Sequence, residues 1–303
     1  MLVNRPYFLL FLAPLIWGGH VVVAKVATVE VAPMTLTLLR WTVALAVIIP
    51  FTWHPVKKEW KVIRQHFLLL FICGASGFAS FNMLYYRALE YTTALNVALI
   101  QAAIPMLILL INAIIFRHRI ILPQVVGLVL AFIGVALVVT SGRLQILSDF
   151  TINDGDVLML LASLMYAVYS IALHYKPSIS WTSFIFILAV SAWVTALPFA
   201  VYEMATRESV FVWSAKSLVL VLYIGILASI VAQIAYAKGV SMIGAGRGGL
   251  AINLVPIFGT LMAVVFLGEA FHWYHLAGLL LVLGGITLSE RYAPKRQLNV
   301  GGA

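Results

Sequence analysis

The chain has 303 residues, 63% of them hydrophobic and only 10% charged, with a mean hydropathy of +1.07. A soluble domain of this length needs far more polar surface, so that class is excluded. The net charge of +9 invites a nucleic-acid reading, but the charges fall in short clusters between long apolar runs, and membrane topology explains them better.

Ten runs are long enough to cross a hydrocarbon core, which takes roughly 17–25 residues per helix. They lie near 7–26, 34–52, 67–89, 92–116, 121–141, 155–175, 180–202, 216–237, 245–267 and 273–291. Every backbone amide inside lipid must find an internal partner, so each run is predicted to be a helix. The first follows Arg5 as a signal peptide would, yet it continues past Trp17 to Val26 without a small-residue cleavage site, and we read it as a retained helix. The third holds Cys73, the single cysteine, so no intramolecular disulfide is possible. No hydrophilic stretch is long enough for a separate soluble domain.

With a cytoplasmic N-terminus, the inside segments hold Arg5, Lys57, Lys58, Lys61, Arg64, Arg117, Arg119, Lys176, Lys238, Arg247, Arg291, Lys295 and Arg296. These are thirteen of the 19 Lys and Arg. Lys25, Arg87, Arg143, Arg207 and Lys216 fall outside, and Arg40 lies within a helix. Eight of the 10 acids also fall outside: Glu30, Glu90, Asp149, Asp154, Asp156, Glu203, Glu208 and Glu269. The basic excess inside predicts that both termini are cytoplasmic.

The two halves repeat each other. A shift of 151 residues lays Tyr85–Ser141 over Tyr236–Tyr292 without a gap, with Tyr85 on Tyr236, Ala94 on Ala245, Pro105 on Pro256, Gly127 on Gly278 and Gly134 on Gly285. Asn82 and Gln233 align just upstream, and a shift of 149 puts Ala13, Leu15 and Trp17 on Ala162, Leu164 and Tyr166. The repeat restarts after five helices, an odd number, so the second copy is expected upside down in the membrane. The units are 7–141 and 155–291, followed by a cytoplasmic tail, 292–303. A duplicated apolar chain of this kind is the pattern of a secondary transporter with its substrate held between the copies.

Pro256, Leu267-Gly268-Glu269, His275-Leu276-Ala277-Gly278 and Gly284-Gly285-Ile286 in the second half, with Trp17-Gly18 and Lys25 in the first, resemble the EamA-type branch of the drug/metabolite transporter superfamily. The resemblance spans nearly the whole chain as two five-helix units. It implies an all-α membrane protein, a basket of ten helices around a central cavity lined mainly by helices 1, 3, 4, 6, 8 and 9. It also implies export of amino acids or other small metabolites from a bacterial cytoplasm. The family usually has an acidic residue after helix 4, where this chain has His118. Glu269, its counterpart in the second copy, is therefore read as structural.

Polar side chains inside a membrane are costly and mark cavities or partners. In chain order, Trp17 and His20 lie three apart on one face of helix 1, and Tyr166 and Tyr169 are their mates in helix 6. This pairing across the repeat favours cavity lining over simple packing. Arg40 is the only cation deep in a helix. Snorkelling toward the outer face is its expected behaviour, and a counter-ion for an anionic substrate is the alternative. Lys25 and Arg87 at outer helix ends are expected to snorkel too. Asn82 with Tyr85 or Tyr86, and Gln233 with Tyr236, read equally as cavity groups or as interhelical glue worth about 1 kcal/mol. Gln101 and Asn253 lie near the bilayer middle beside Pro105 and Pro256. A proline frees a carbonyl one turn earlier, so these are either a midplane site in broken helices or kinks stabilised by the neighbouring amide.

Gly244-Ala-Gly246-Arg-Gly-Gly249 fits a dinucleotide-binding pattern but follows no strand. It reads instead as small residues for close helix approach, and Arg247 at the start of helix 9 is a second candidate charge site for an anionic group. No Asp or Glu lies mid-membrane, and His20 is the only mid-membrane group that titrates near neutral pH. There is no Walker motif, no paired metal-ligand His or Cys and no nucleophile–base pair. The chain is therefore expected to be a transporter rather than an enzyme, with no cofactor or metal. Its expected partners are a small-molecule substrate and the bilayer, without nucleic acid, and it is expected to work as a monomer or weak dimer. A passive channel, a small-molecule sensor and, less favoured, a membrane-embedded enzyme are the alternatives.

Overall fold

The computed structural model describes residues 5–117, 121–143, 152–207, 210–244 and 250–292. These form an all-helical membrane protein. Its helices are α1 (Pro6–Glu30), α2 (Pro33–Gln65), α3 (Phe67–Tyr91), α4 (Ala94–Gln101 and Ile104–Phe116), α5 (Leu122–Val139), α6 (Asp154–Tyr175), α7 (Trp181–Thr206), α8 (Ala215–Ile243), α9 (Leu254–Leu267, after a 3-10 turn Leu250–Asn253) and α10 (Trp273–Arg291). Nine are long and apolar enough to cross a membrane, and α9 is a shorter apolar helix.

Local chemistry sets the ends. Pro6 and Pro33 open α1 and α2, where a missing N–H costs nothing. Thr93, Asn153, Ser180 and Ser214 accept backbone N–H bonds as N-caps of α4, α6, α7 and α8, satisfying donors that a helix start leaves free. Left-handed residues stop α4 at Arg117 (φ 51°) and α9 at Gly268 (φ 67°). Glycine takes that conformation without a Cβ penalty; Arg117 bears it.

One expectation needs correction, and one open alternative is decided. The stretch 57–64 is not a loop: α2 runs on to Gln65, despite Pro50 and Pro55 within it. Past the apolar part it is amphipathic, with Val56 and Ile63 buried and Lys57, Lys58 and Lys61 exposed, so packing sustains the helix outside the hydrocarbon. The fourth run is broken. α4 is interrupted at Ala102–Ala103, before Pro105, because proline cannot donate to the turn behind it. The 118–119 part of the inside loop, Asp149, Glu208, the 245–249 start of the ninth run and the 293–303 tail lie outside the described residues.

α1 packs against α8 and α9, α6 against α3 and α4, α2 against α7, and α5 against α10. At the α5–α10 crossing Gly127 meets the Gly285 carbonyl and Gly134 meets the Gly278 carbonyl so closely that an added methyl would clash at each. The buried core is mostly small and aliphatic, including Ala24, Leu36, Leu89, Leu95 and Ile100, which lets the backbones approach.

α3 and α8 each contain a π-helical stretch, Gly74–Ser80 and Tyr223–Val231. The wider turn leaves carbonyls free for side chains. Trp41 Nε1 donates to Phe78 O at 3.1 Å, and Trp17 Nε1 donates to Ala228 O at 3.0 Å.

Carboxylates tie the helix ends. Glu269 accepts the Ala94 and Leu95 N–H groups, both at 2.8 Å, at the start of α4. Glu203 near the end of α7 accepts from Thr35 N and Oγ1 in α2, while Glu59 near the end of α2 accepts from Ser180 N and Oγ at the start of α7. These anions sit where helix N-termini present unsatisfied donors.

Candidate functional site

A cavity of ≈ 280 Å³ lies among the helices, and its walls come from α1, α2, α3, α4, α6, α8, α9 and α10. Trp17, His20, Asn82, Tyr85, Gln101, Tyr166, Gln233 and Asn253 line it, as does Arg40. The sequence-predicted polar set is thus largely brought to one place.

The aromatic quartet divides. Trp17 lines the cavity, held by Ala228 O and by Tyr236, whose ring lies 5.5 Å away. Tyr166 lines it beside Phe81, centroids 5.2 Å apart. Tyr169 does not line it. Its ring packs on Gly77, where a Cβ would strike it, and against Phe78 at 5.7 Å. Tyr236 stands behind Trp17 and Tyr86 behind His20, so neither of these two lines the cavity.

His20 and Arg40 form the polar wall. The His20 ring stacks on Tyr85, centroids 5.5 Å apart and 7° from parallel. His20 Nε2 is 3.1 Å from Tyr86 Oη and 3.4 Å from Arg40 Nη1. A guanidinium only donates and Nε2 has a single lone pair, so an accepting Nε2 takes its hydrogen from Tyr86 Oη, the shorter contact, and faces Arg40 at longer range. Arg40 Nη1 also donates to Asn82 Oδ1 and to Tyr86 Oη, each at 2.8 Å, and Nε donates to Ser229 Oγ at 2.7 Å. Ser229 is aimed there by the π turn, through its own bond to Ile224 O.

Arg40 therefore does not snorkel outward. It is 8% exposed, because neutral acceptors on α3 and α8 replace the water it gives up. Lys25 does not simply snorkel either: its Nζ donates to the Leu89 and Thr92 carbonyls and caps the end of α3, where a cation is favoured. Arg87 pairs with Glu90 and lies over the Tyr91 ring at 4.8 Å. Arg247 lies outside the described residues.

The amides behave differently from one another. Asn82 is both cavity wall and glue, since its Nδ2 donates to Phe78 O while Oδ1 takes Arg40. Gln101, Gln233 and Asn253 line the cavity with no side-chain hydrogen-bond partner among the described residues. Gln101 ends the first half of α4 and Asn253 precedes α9, so the two amides flank the broken turns without bracing them. Trp41, Phe78, Phe81 and Ser229 are site residues the sequence reading missed. Trp41 and Phe81 each adjoin a residue already singled out, which is the one signal available. The π turns that aim the Phe78 carbonyl and Ser229 leave no mark in the hydrophobic pattern.

A model of the EamA-like transporter family matches residues 4–140 and again 153–290. The uncharacterized transporter YyaM of Bacillus subtilis is 26% identical over 292 residues, covering 94% of this chain and 93% of its own. An uncharacterized transporter of Archaeoglobus fulgidus is 25% identical over 297 residues, covering 94% and 97%. A protein crystal structure superposes with a TM-score of 0.63 at 20% identity, over 96% of this chain and 98% of that one, a likeness of fold.

Proposed function

Because the chain belongs to the EamA-like transporter family, we propose that it is a secondary transporter exporting small amphipathic metabolites, such as amino acids, across the bacterial inner membrane by alternating access. The observation that carries this reading is the cavity. It is small, its lining mixes aromatic and polar side chains, and three of its amides have no side-chain hydrogen-bond partner among the described residues. Both copies contribute to its walls, as a site between repeats requires.

The reading includes ten membrane crossings in two inverted units, 7–141 and 155–291, with both termini and the 292–303 tail cytoplasmic, acting as a monomer or weak dimer. Two observations support the duplication and a third its inversion. The family model matches twice. Both copies carry a π stretch in their third helix. Gly127 and Gly134 align in sequence with Gly278 and Gly285, yet in contact Gly127 meets Gly285 and Gly134 meets Gly278, the exchange a two-fold axis between α5 and α10 produces.

The test is flux. Purified protein in proteoliposomes is given a panel of labelled amino acids and related metabolites, with and without a pH gradient. Saturable, protein-dependent movement of at least one small amphipathic solute is expected. Non-saturable leak of all of them would make the protein a channel, and no movement of any would point to a sensor.

A further inference from the structure

Arg40 is a buried cation with no anionic partner among the described residues. Among the described residues the ion pairs join Arg87 and Arg207 to Glu90, Arg207 to Glu203 and Lys216 to Glu30, all near helix ends. Among the described residues no carboxylate lines the cavity. The partners of Arg40 are the neutral oxygens of Ser229, Asn82 and Tyr86, which stabilise the charge without cancelling it. Beside it Tyr85, 1% exposed, lines the same cavity, and its hydroxyl has no hydrogen-bond partner among the described residues. A buried cation left without an anion is costly, and a buried donor left without an acceptor likewise calls for a reason. Both are answered by one kind of ligand.

We propose that the cavity selects organic anions: a carboxylate of the solute pairs with Arg40, and its apolar body lies among Trp17, Phe81 and Tyr166. A planar guanidinium matches a carboxylate in shape and charge. A solute bearing only an ammonium group meets the same cation, finds no acid, and is repelled. The selection rests on the cavity being the substrate site.

The experiment is calorimetric binding to the full-length protein in detergent, with three probes that share a phenyl body: 3-phenylpropanoate, phenylalanine and 2-phenylethylamine. The two acids are expected to bind at least about tenfold more tightly than the amine, the size of one charge-assisted bond. Arg40→Gln should weaken 3-phenylpropanoate at least about tenfold, and Arg40→Lys should lose less. The wild-type comparison decides even where a variant fails to fold. Equal or tighter binding of the amine overturns anion selection, and so does an absence of acid binding. If acids bind in this pattern while no solute moves in proteoliposomes, the transporter reading falls and anion selection stands. If solutes move but binding ignores the carboxylate, the reverse holds.

Discussion

At the scale of single residues, neighbours in one sequence pattern have separate roles. Tyr166 and Tyr169 are three apart on one helix, yet only Tyr166 lines the cavity while Tyr169 fills the space above Gly77. Tyr166→Ala and Trp17→Ala are therefore expected to lower reconstituted flux by about tenfold, the order of one lost contact of 1–2 kcal/mol, with the protein still monodisperse. Tyr169→Phe keeps the ring and should leave flux within about twofold. Equal loss in all three would assign the quartet to packing. His20 has a different test. Its Nε2 faces the Tyr86 hydroxyl and the Arg40 guanidinium, a geometry suited to an acceptor rather than a proton carrier. His20→Gln keeps an acceptor that cannot titrate. Most of the flux should remain, and wild-type flux down a substrate gradient should persist without a pH gradient. Flux that depends strictly on the gradient in wild type, and loses that dependence in the variant, would make His20 a proton site.

At the scale of elements, helix pairs are fixed by backbone approach and by carboxylates on helix starts. Gly285→Val places a branched side chain against the Gly127 carbonyl. Overpacking of this kind costs about 1–3 kcal/mol, so the melting temperature in detergent should fall by several degrees. Gly284→Ala, one residue away with open space around it, should change it little and serves as the control. Glu269→Ala removes the acceptor for two N–H groups of α4 and should cost about 1 kcal/mol, read as a smaller drop in the same melt. No loss from Glu269→Ala would show that water replaces the cap.

At the scale of the whole molecule, the charge pattern and the double family match carry one consequence for orientation. Cys73 is buried, so it gives little background to surface labelling. Lys58→Cys and Arg117→Cys should be shielded from an impermeant thiol reagent added to intact cells, whereas Asp154→Cys and Thr206→Cys should react. Each of these four positions is exposed on the protein surface. The reverse pattern would overturn the assigned orientation. Apolar length and the demand that every amide be satisfied in lipid made the helical membrane class legible from sequence alone. Local repetition made much of the cavity set legible too, since Trp17, Tyr166, Asn82 and Gln233 stand out as paired polar or aromatic groups in apolar runs. What sequence could not supply was the direction of each side chain. A run of residues does not say that α3 and α8 widen into π turns, and those turns supply the carbonyl and hydroxyl that hold Trp17, Trp41 and Arg40. Arg40 could reach water or turn inward. Only the tertiary structure decided, because the acceptors that keep it inside come from helices 42 and 189 residues away in the chain.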